Sequence, residues 1–168
     1  QGETLVPIDE RYSSGGFAYV IDGGGHTLCN YVMNSTVNGR CGLITSNYGT
    51  IKNLNISDAH LDVRQYVADM GILTGRNTGT IYNCSVVDSR VSYSAERGFE
   101  RSEVGGLVGD LNSGSVKNCY FTGSITASQP DGSYLCVGGI AGRMGNGLIL
   151  SSYANVQADV TTKDHGLV

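Results

Sequence analysis

Glycine recurring at a near-fixed spacing constrains this chain more than any other feature. Four segments align: GLITSNYGTIKNL (42–54), GILTGRNTGTIYNC (71–84), GLVGDLNSGSVKNC (106–119) and GIAGRMGNGLILSS (139–152). Their first glycines, Gly42, Gly71, Gly106 and Gly139, lie 29, 35 and 33 residues apart. Each unit reads as glycine, two apolar residues, a polar turn closed by a second glycine (Gly49, Gly79, Gly114, Gly147), then a β-branched or apolar residue and Asn or Ser. A unit of about 30 residues with a few short strands cannot bury its own apolar side. Stacking like units does so by placing like residues above one another. The expected apolar columns are Leu43, Ile72, Leu107, Ile140 and Ile51, Ile81, Val116, Ile149.

The turns carry their own column. Asn53, Asn83, Asn118 and Ser151 recur at one place in the unit. Asn tolerates the left-handed backbone region and bonds nearby peptide groups, so it suits a repeated turn that must be satisfied inside a stack. LNISDAHLDV (54–63) and SVVDSRVSYS (85–94) alternate in part, as strands with one buried side should. No window carries a 3.6-residue stripe. The spacing predicts an all-β chain, a right-handed parallel β-helix of about four to five coils. An antiparallel sandwich would show hairpin turns every 8–12 residues without the long period.

Residues 1–41 are expected to form a leading coil, and residues 42–168 the repeats, at about 42–70, 71–105, 106–138 and 139–165. HGLV (165–168) restarts the unit, so the solenoid is expected to continue past the C-terminus, with the rest of a parent chain covering that edge. YSAERGFERSE (93–103) and residues 128–136 read as loops bulging from the stack, where partners of solenoids bind.

Composition narrows the function. The net charge of −4 excludes a basic nucleic-acid face, and no apolar run reaches membrane-spanning length. Five Cys with no CxxC motif give no zinc pattern. Cys84 and Cys119 fall at equivalent inward positions, in a column with Leu54 and Ser152. A disulfide between neighbouring coils is conceivable there, but Leu and Ser at the same place make buried free thiols the expectation. Cys29 and Cys41 are a second pair that could sit near each other.

Few residues suggest chemistry. In DAHLD, Asp58, His60 and Asp62 would share one side of a strand and are the best metal or acid–base set, but the favoured reading is an outward polar side above Ala59, Leu61 and Val63. The carboxylates Asp22, Asp58, Asp62, Asp69, Asp88, Asp110 and Asp159 form no aligned column, and no Lys or Arg repeats beside them. HExxH is absent, GGGHT (23–27) lacks the aspartate of a calcium nonapeptide, and no cofactor is implied. Tyr48, Tyr66, Tyr93 and Tyr134 fall in turns or insertions and are the candidates for a ligand-binding surface.

GGLVGDLNSGSVKNCYFTGSI (105–125) resembles the bacterial GLUG repeat, with VGGIAGRMGNGLILSSYANV (137–156) a degenerate copy in which Ser151 and Ser152 replace Asn-Cys. Segments 42–54 and 71–84 match more loosely. The resemblance implies an extracellular or cell-surface protein of adhesin-like character, in which the repeats form a stalk or a surface for a host protein or glycan. The alternative is an accessory β-helix of a secreted immunoglobulin-A-type metallopeptidase or a carbohydrate-active enzyme, whose catalytic site lies elsewhere. Either way this segment is expected to be non-catalytic.

Overall fold

The computed structural model describes residues 3–8, 16–35, 39–64, 67–95, 101–129, 133–163 and 166–167. Among them there is no helix. Every strand pairs in parallel with its equivalent in the coil above or below, which is the signature of stacked coils.

Each coil visits four faces in turn. Face 1 holds Gly39–Cys41, Val67–Met70, Arg101–Gly105, Tyr134–Gly138 and Gly166–Leu167. Face 2 holds Ile44–Asn47, Thr74–Asn77, Val108–Leu111 and Ala141–Met144. Face 3 stacks Val20–Asp22, Thr50–Lys52, Thr80–Tyr82, Ser115–Lys117 and Leu148–Leu150. Face 4 is the widest. It begins with pairs of short strands, Thr27–Cys29 with Tyr31–Ser35 and Asn55–Ser57 with His60–Val63, and ends with Ser85–Ser94, Tyr120–Gln129 and Tyr153–Thr162, each ten residues long. The stack amounts to about four turns.

The predicted columns are present. Ile21, Ile51, Ile81, Val116 and Ile149 lie in register along face 3. The three central members are completely buried. On face 4, Met33, Leu61, Val91 and Ile125 stack in the same way, all at 0% exposure. Burying one such aliphatic side chain contributes roughly 1.5–3 kcal/mol, so the columns carry most of the favourable energy. The core thins at the last coil. Ala154 and Ala158 stand over Phe121 and Ile125, and Met144, Leu148, Leu150 and Tyr153 are 47–57% exposed.

The turn column behaves as the sequence demands. Asn53, Asn83, Asn118 and Ser151 all have φ between +47° and +54°. The Nδ2 of Asn118 donates to Oδ1 of Asn83 (3.1 Å), Asn83 to Asn53 (2.7 Å), and Asn53 to Oδ1 of Asp22 (2.9 Å). Asp22 thus ends the ladder at the N-terminal side. A second polar column is buried: Asn47 donates to Oδ1 of Asn77 at 2.7 Å, and Asn77 to the carbonyl of Gly79 at 3.1 Å. Beside it a Cβ on Gly79 would lie 2.1 Å from the carbonyl oxygen of Gly49, and one on Gly114 2.2 Å from that of Gly79. The repeated second glycine therefore exists so that turns can stack at backbone distance.

Two segments expected to be loops are largely strand. The long face-4 strand runs through Ser94 and face 1 resumes at Arg101, so only residues 96–100 of the first lie outside the described residues. Residues 128–129 and 134–136 of the second are likewise strand, leaving 130–132 outside them.

Candidate functional site

The densest polar chemistry lies where faces 1 and 2 meet, at residues whose charges do not repeat down the sequence. On face 1 the column reads Arg40, Asp69, Glu103, Cys136; on face 2 it reads Ser46, Arg76, Asp110, Arg143. The corner is tight because Gly75, Gly109 and Gly142 on face 2 press against face-1 backbone, with room for no side chain. The charged groups consequently converge. Asp69 receives Arg40 Nε at 2.8 Å and Arg76 Nη2 at 3.4 Å. Asp110 accepts a hydrogen bond from Arg143 Nη1 at 3.3 Å and forms an ion pair with Arg76 Nε at 3.0 Å that lacks hydrogen-bond geometry. Arg101 Nε bonds Glu103 at 2.5 Å. Asp69 and Asp110 stand in different columns, but arginines do recur beside them, contrary to the expectation that no basic residue would.

The side chains of Asp69, Asp110 and Glu103 are only 1–4% exposed, whereas the arginines are 29–47% exposed. Guanidinium groups cover the acids and keep their own outer edges hydrated. Burial, and then the neighbouring Asp69 carboxylate to which it is hydrogen-bonded, push the Glu103 carboxyl up to about 8, against the opposing pull of Arg101. Two carboxyls with unequal environments resemble an acid–base pair. Here, however, both lie under arginine side chains and contact one another. The arrangement acts as a lattice of ion pairs that fixes coil on coil.

This has a measurable consequence. Glu103 holds its proton more tightly folded than unfolded, so its contribution to stability is full below about pH 4.5 and is lost as pH rises through about 8. The melting temperature should fall by several degrees between pH 5 and pH 9, and Glu103→Gln should flatten that fall. A wild-type profile that is level across this range, or unchanged by the substitution, would contradict the assignment. Asp22 works in a separate window. Its bonds from Asn53, the Gly24 amide and Lys52 hold its carboxyl down to about 2, so what it contributes is lost only as pH drops below about 4.

The residues singled out from sequence are dispersed. Asp58 does not continue the strand of His60 and Asp62: it sits at φ +52° in a turn that splits the two short strands. His60 Nε2 lies 3.7 Å from Asp58 Oδ1 and its Nδ1 3.4 Å from Arg90 Nη2, while Asp62 pairs with Arg64 at 3.2 Å. Among the described residues no three His, Cys, Asp or Glu groups converge as a metal site would require. Tyr93 is 1% exposed, its hydroxyl bonded to Ser102 and to Gln129 Oε1 at 3.1 Å, so it belongs to the core and not to a surface. Tyr48 and Tyr134 are about half exposed, on turn and strand of different coils. Tyr66 lies outside the described residues. Cys29 and Cys41 stand on faces 4 and 1, and none of the five cysteines is in a disulfide.

One aromatic pair was missed. Tyr120 and Tyr153 stack with centroids 5.2 Å apart and planes 2° from parallel, at the residue after Cys119 and Ser152 in successive units. The common offset of these two Tyr from the turn Asn or Ser was the sequence clue. Outward on face 4, polar residues align in flat columns: His60, Arg90, Ser124, Gln157 and Asp62, Ser92, Thr126, Asp159.

Comparison with known proteins agrees with this architecture. A 98-residue stretch, 57% of the chain, is 35% identical to part of halomucin from Haloquadratum walsbyi (strain DSM 16790 / HBSQ001), and it covers 1% of that protein. The chain thus spans about one hundredth of the curated relative it matches. No solved structure matches it. Residues 101–126 match the family model of the GLUG motif, and this window contains the segment 105–125 with the face-1 strand, the glycine corner, the Asn-Cys turn and Tyr120. The coil built by residues 101–126 is a GLUG motif.

Proposed function

We propose that this chain is a non-catalytic β-helical module of an extracellular or cell-surface protein, serving as a stalk and as a surface that displays side chains to a host protein or glycan. The observation that carries this reading is the outer side of face 4. Its in-register columns of His, Arg, Ser, Thr, Gln and Asp make a flat, hydrated plane along the solenoid axis, suited to contact and not to enclosing a substrate. Segments 96–100 and 130–132 fall in the sequence between face-4 and face-1 strands, where partners of solenoids bind. The exposed apolar residues of the last coil, Leu148, Leu150 and Tyr153, are where a further coil of a parent chain would stack. Residues 166–167 already pair with Leu135 and Cys136 as the next layer of face 1.

The test is binding of the purified chain to an array of animal cell-surface glycans and matrix proteins. Binding to at least one component is expected, weakened about tenfold or more when 96–100 and 130–132 are replaced by glycine and serine, a loss of about 1.4 kcal/mol. Binding unaffected by both replacements would end the display role. Turnover of an acidic polysaccharide by the chain alone would end the non-catalytic one.

A further inference from the structure

Cys84 and Cys119 follow the left-handed residues Asn83 and Asn118 in successive coils, so the same turn aims both thiols inward at the same height. The residues after them, Ser85 and Tyr120, are register partners, and the Tyr120 amide donates to the Cys84 carbonyl at 3.2 Å. The Cys84 amide in turn donates to Cys119 Sγ at 3.4 Å. Parallel neighbours stand about 4.8 Å apart, inside the Cα separation of roughly 4.4–6.8 Å that a disulfide bridges. The two side chains are 2% and 1% exposed, and both are free thiols. Leu54 and Ser152 occupy the places before and after them in the column. No third thiol in that column competes for either partner.

We propose that Cys84 and Cys119 are an inter-coil disulfide pair, which an oxidising thiol–disulfide environment closes into a covalent staple between the third coil and the GLUG coil. The step needs a small-molecule disulfide, such as oxidised glutathione. Cys119, as thiolate, attacks one sulfur of that disulfide; a mixed disulfide forms and one glutathione thiolate leaves. Cys84 then loses its proton and attacks Cys119 Sγ, forming the Cys84–Cys119 bond and expelling the second glutathione. Two protein thiols are oxidised, one glutathione disulfide is reduced to two thiols, and the two protons end on those products. The order of attack fits the surroundings: the neighbouring Cys84 thiol and the Cys84 amide favour the Cys119 thiolate, whereas Cys84 is held well above its ordinary value by the same pairing and by burial. Access to Cys119 requires a transient opening of the last coil, where Ser152 Oγ accepts the Cys119 amide at 3.1 Å.

The experiment incubates the folded Cys136→Ser chain with oxidised glutathione, blocks remaining thiols with iodoacetamide and digests with trypsin. The substitution leaves Cys119 as the only thiol of its tryptic peptide, residues 118–143. The expected result is a dithiothreitol-sensitive cross-link between that peptide and residues 77–90. The melting temperature should rise by about 10 °C, as closing a loop of this length predicts. Cys84→Ser and Cys119→Ser should each lose both effects; serine already fills this column at Ser152. Full alkylation of both cysteines after equilibration, or a glutathione adduct that never resolves to the cross-link, would overturn the proposal. The peptide map of the Cys136→Ser chain decides the matter even where the Cys84 or Cys119 variant fails to fold.

Discussion

Gly105→Ala is expected to lower the melting temperature by at least roughly 6–12 °C, or to prevent folding, which corresponds to a cost above about 3 kcal/mol. A Cβ at Gly105 would lie 1.8 Å from the carbonyl oxygen of Val108 and 2.8 Å from the amide nitrogen of Gly142. Both obstacles are backbone: one belongs to the same corner and the other to the next coil. No side chain can swing away, so relief requires faces 1 and 2 to part. Gly25→Ala is the control. Nothing stands within 4 Å of that position and only its φ of +80° opposes a side chain, so a cost nearer about 1 kcal/mol is expected. Equal losses at the two sites, measured by thermal denaturation, would show that the corner is looser than its geometry implies.

Asp110→Ala should destabilise the chain by about 3 kcal/mol, at the lower end of the range for breaking a buried ion pair. Asp110 is completely buried and is the acid common to Arg76 and Arg143. Its removal leaves the guanidinium groups of Arg76 and Arg143, one coil below and one coil above, without their shared acid. Their partial exposure lets water reach them, which keeps the loss from being larger. Urea denaturation of wild type, Asp110→Ala and Asp110→Asn would show both variants with earlier midpoints, and a double substitution with Arg76→Met recovering part of the loss. If Asp110→Ala alone were neutral, the lattice would be decoration and not a fastening.

The contrast between these two sites shows what a repeat reveals in sequence. Apolar residues gain by standing over their own kind, so Ile51, Ile81 and Val116 recur in kind and the column is visible. Asn stacks on Asn for the same reason, since its amide is both donor and acceptor. Charges cannot do this. Like charges about 4.8 Å apart repel, so such columns either set opposite charges together, as Arg40 over Asp69 and Arg76 over Asp110, or hold a proton, as Glu103 beside Asp69; neither is a repeat of identity. A search for recurring residues passes over it.

Two other misreadings share a cause. Tyr93 stands in a polar-looking run, yet it continues the alternation of Val91 on a strand of ten residues, with its hydroxyl satisfied inside. Asp58 appears to alternate with His60 and Asp62, yet its backbone is left-handed, as it is at the equivalent Asn30 and Asp88, all three at φ between +50° and +55°. In both cases local pattern was outweighed by the place of the residue in the coil. The GLUG-motif coil was legible because its glycines, Asn118 and Cys119 each answer a geometric need.

Coils stacked in register hold every feature above together, and a distance between spin labels tests this most directly. Thr50 and Leu148 are three rungs apart on face 3, through Thr80 and Ser115. Their backbones should therefore be about 14 Å apart. Labels on cysteines placed at these two positions, in a background lacking the exposed Cys29, should give one narrow distance distribution near that value, widened only by the label arms. A broad distribution, or a mean beyond about twice that separation, would contradict a continuous solenoid and with it the lattice, the turn ladder and the staple.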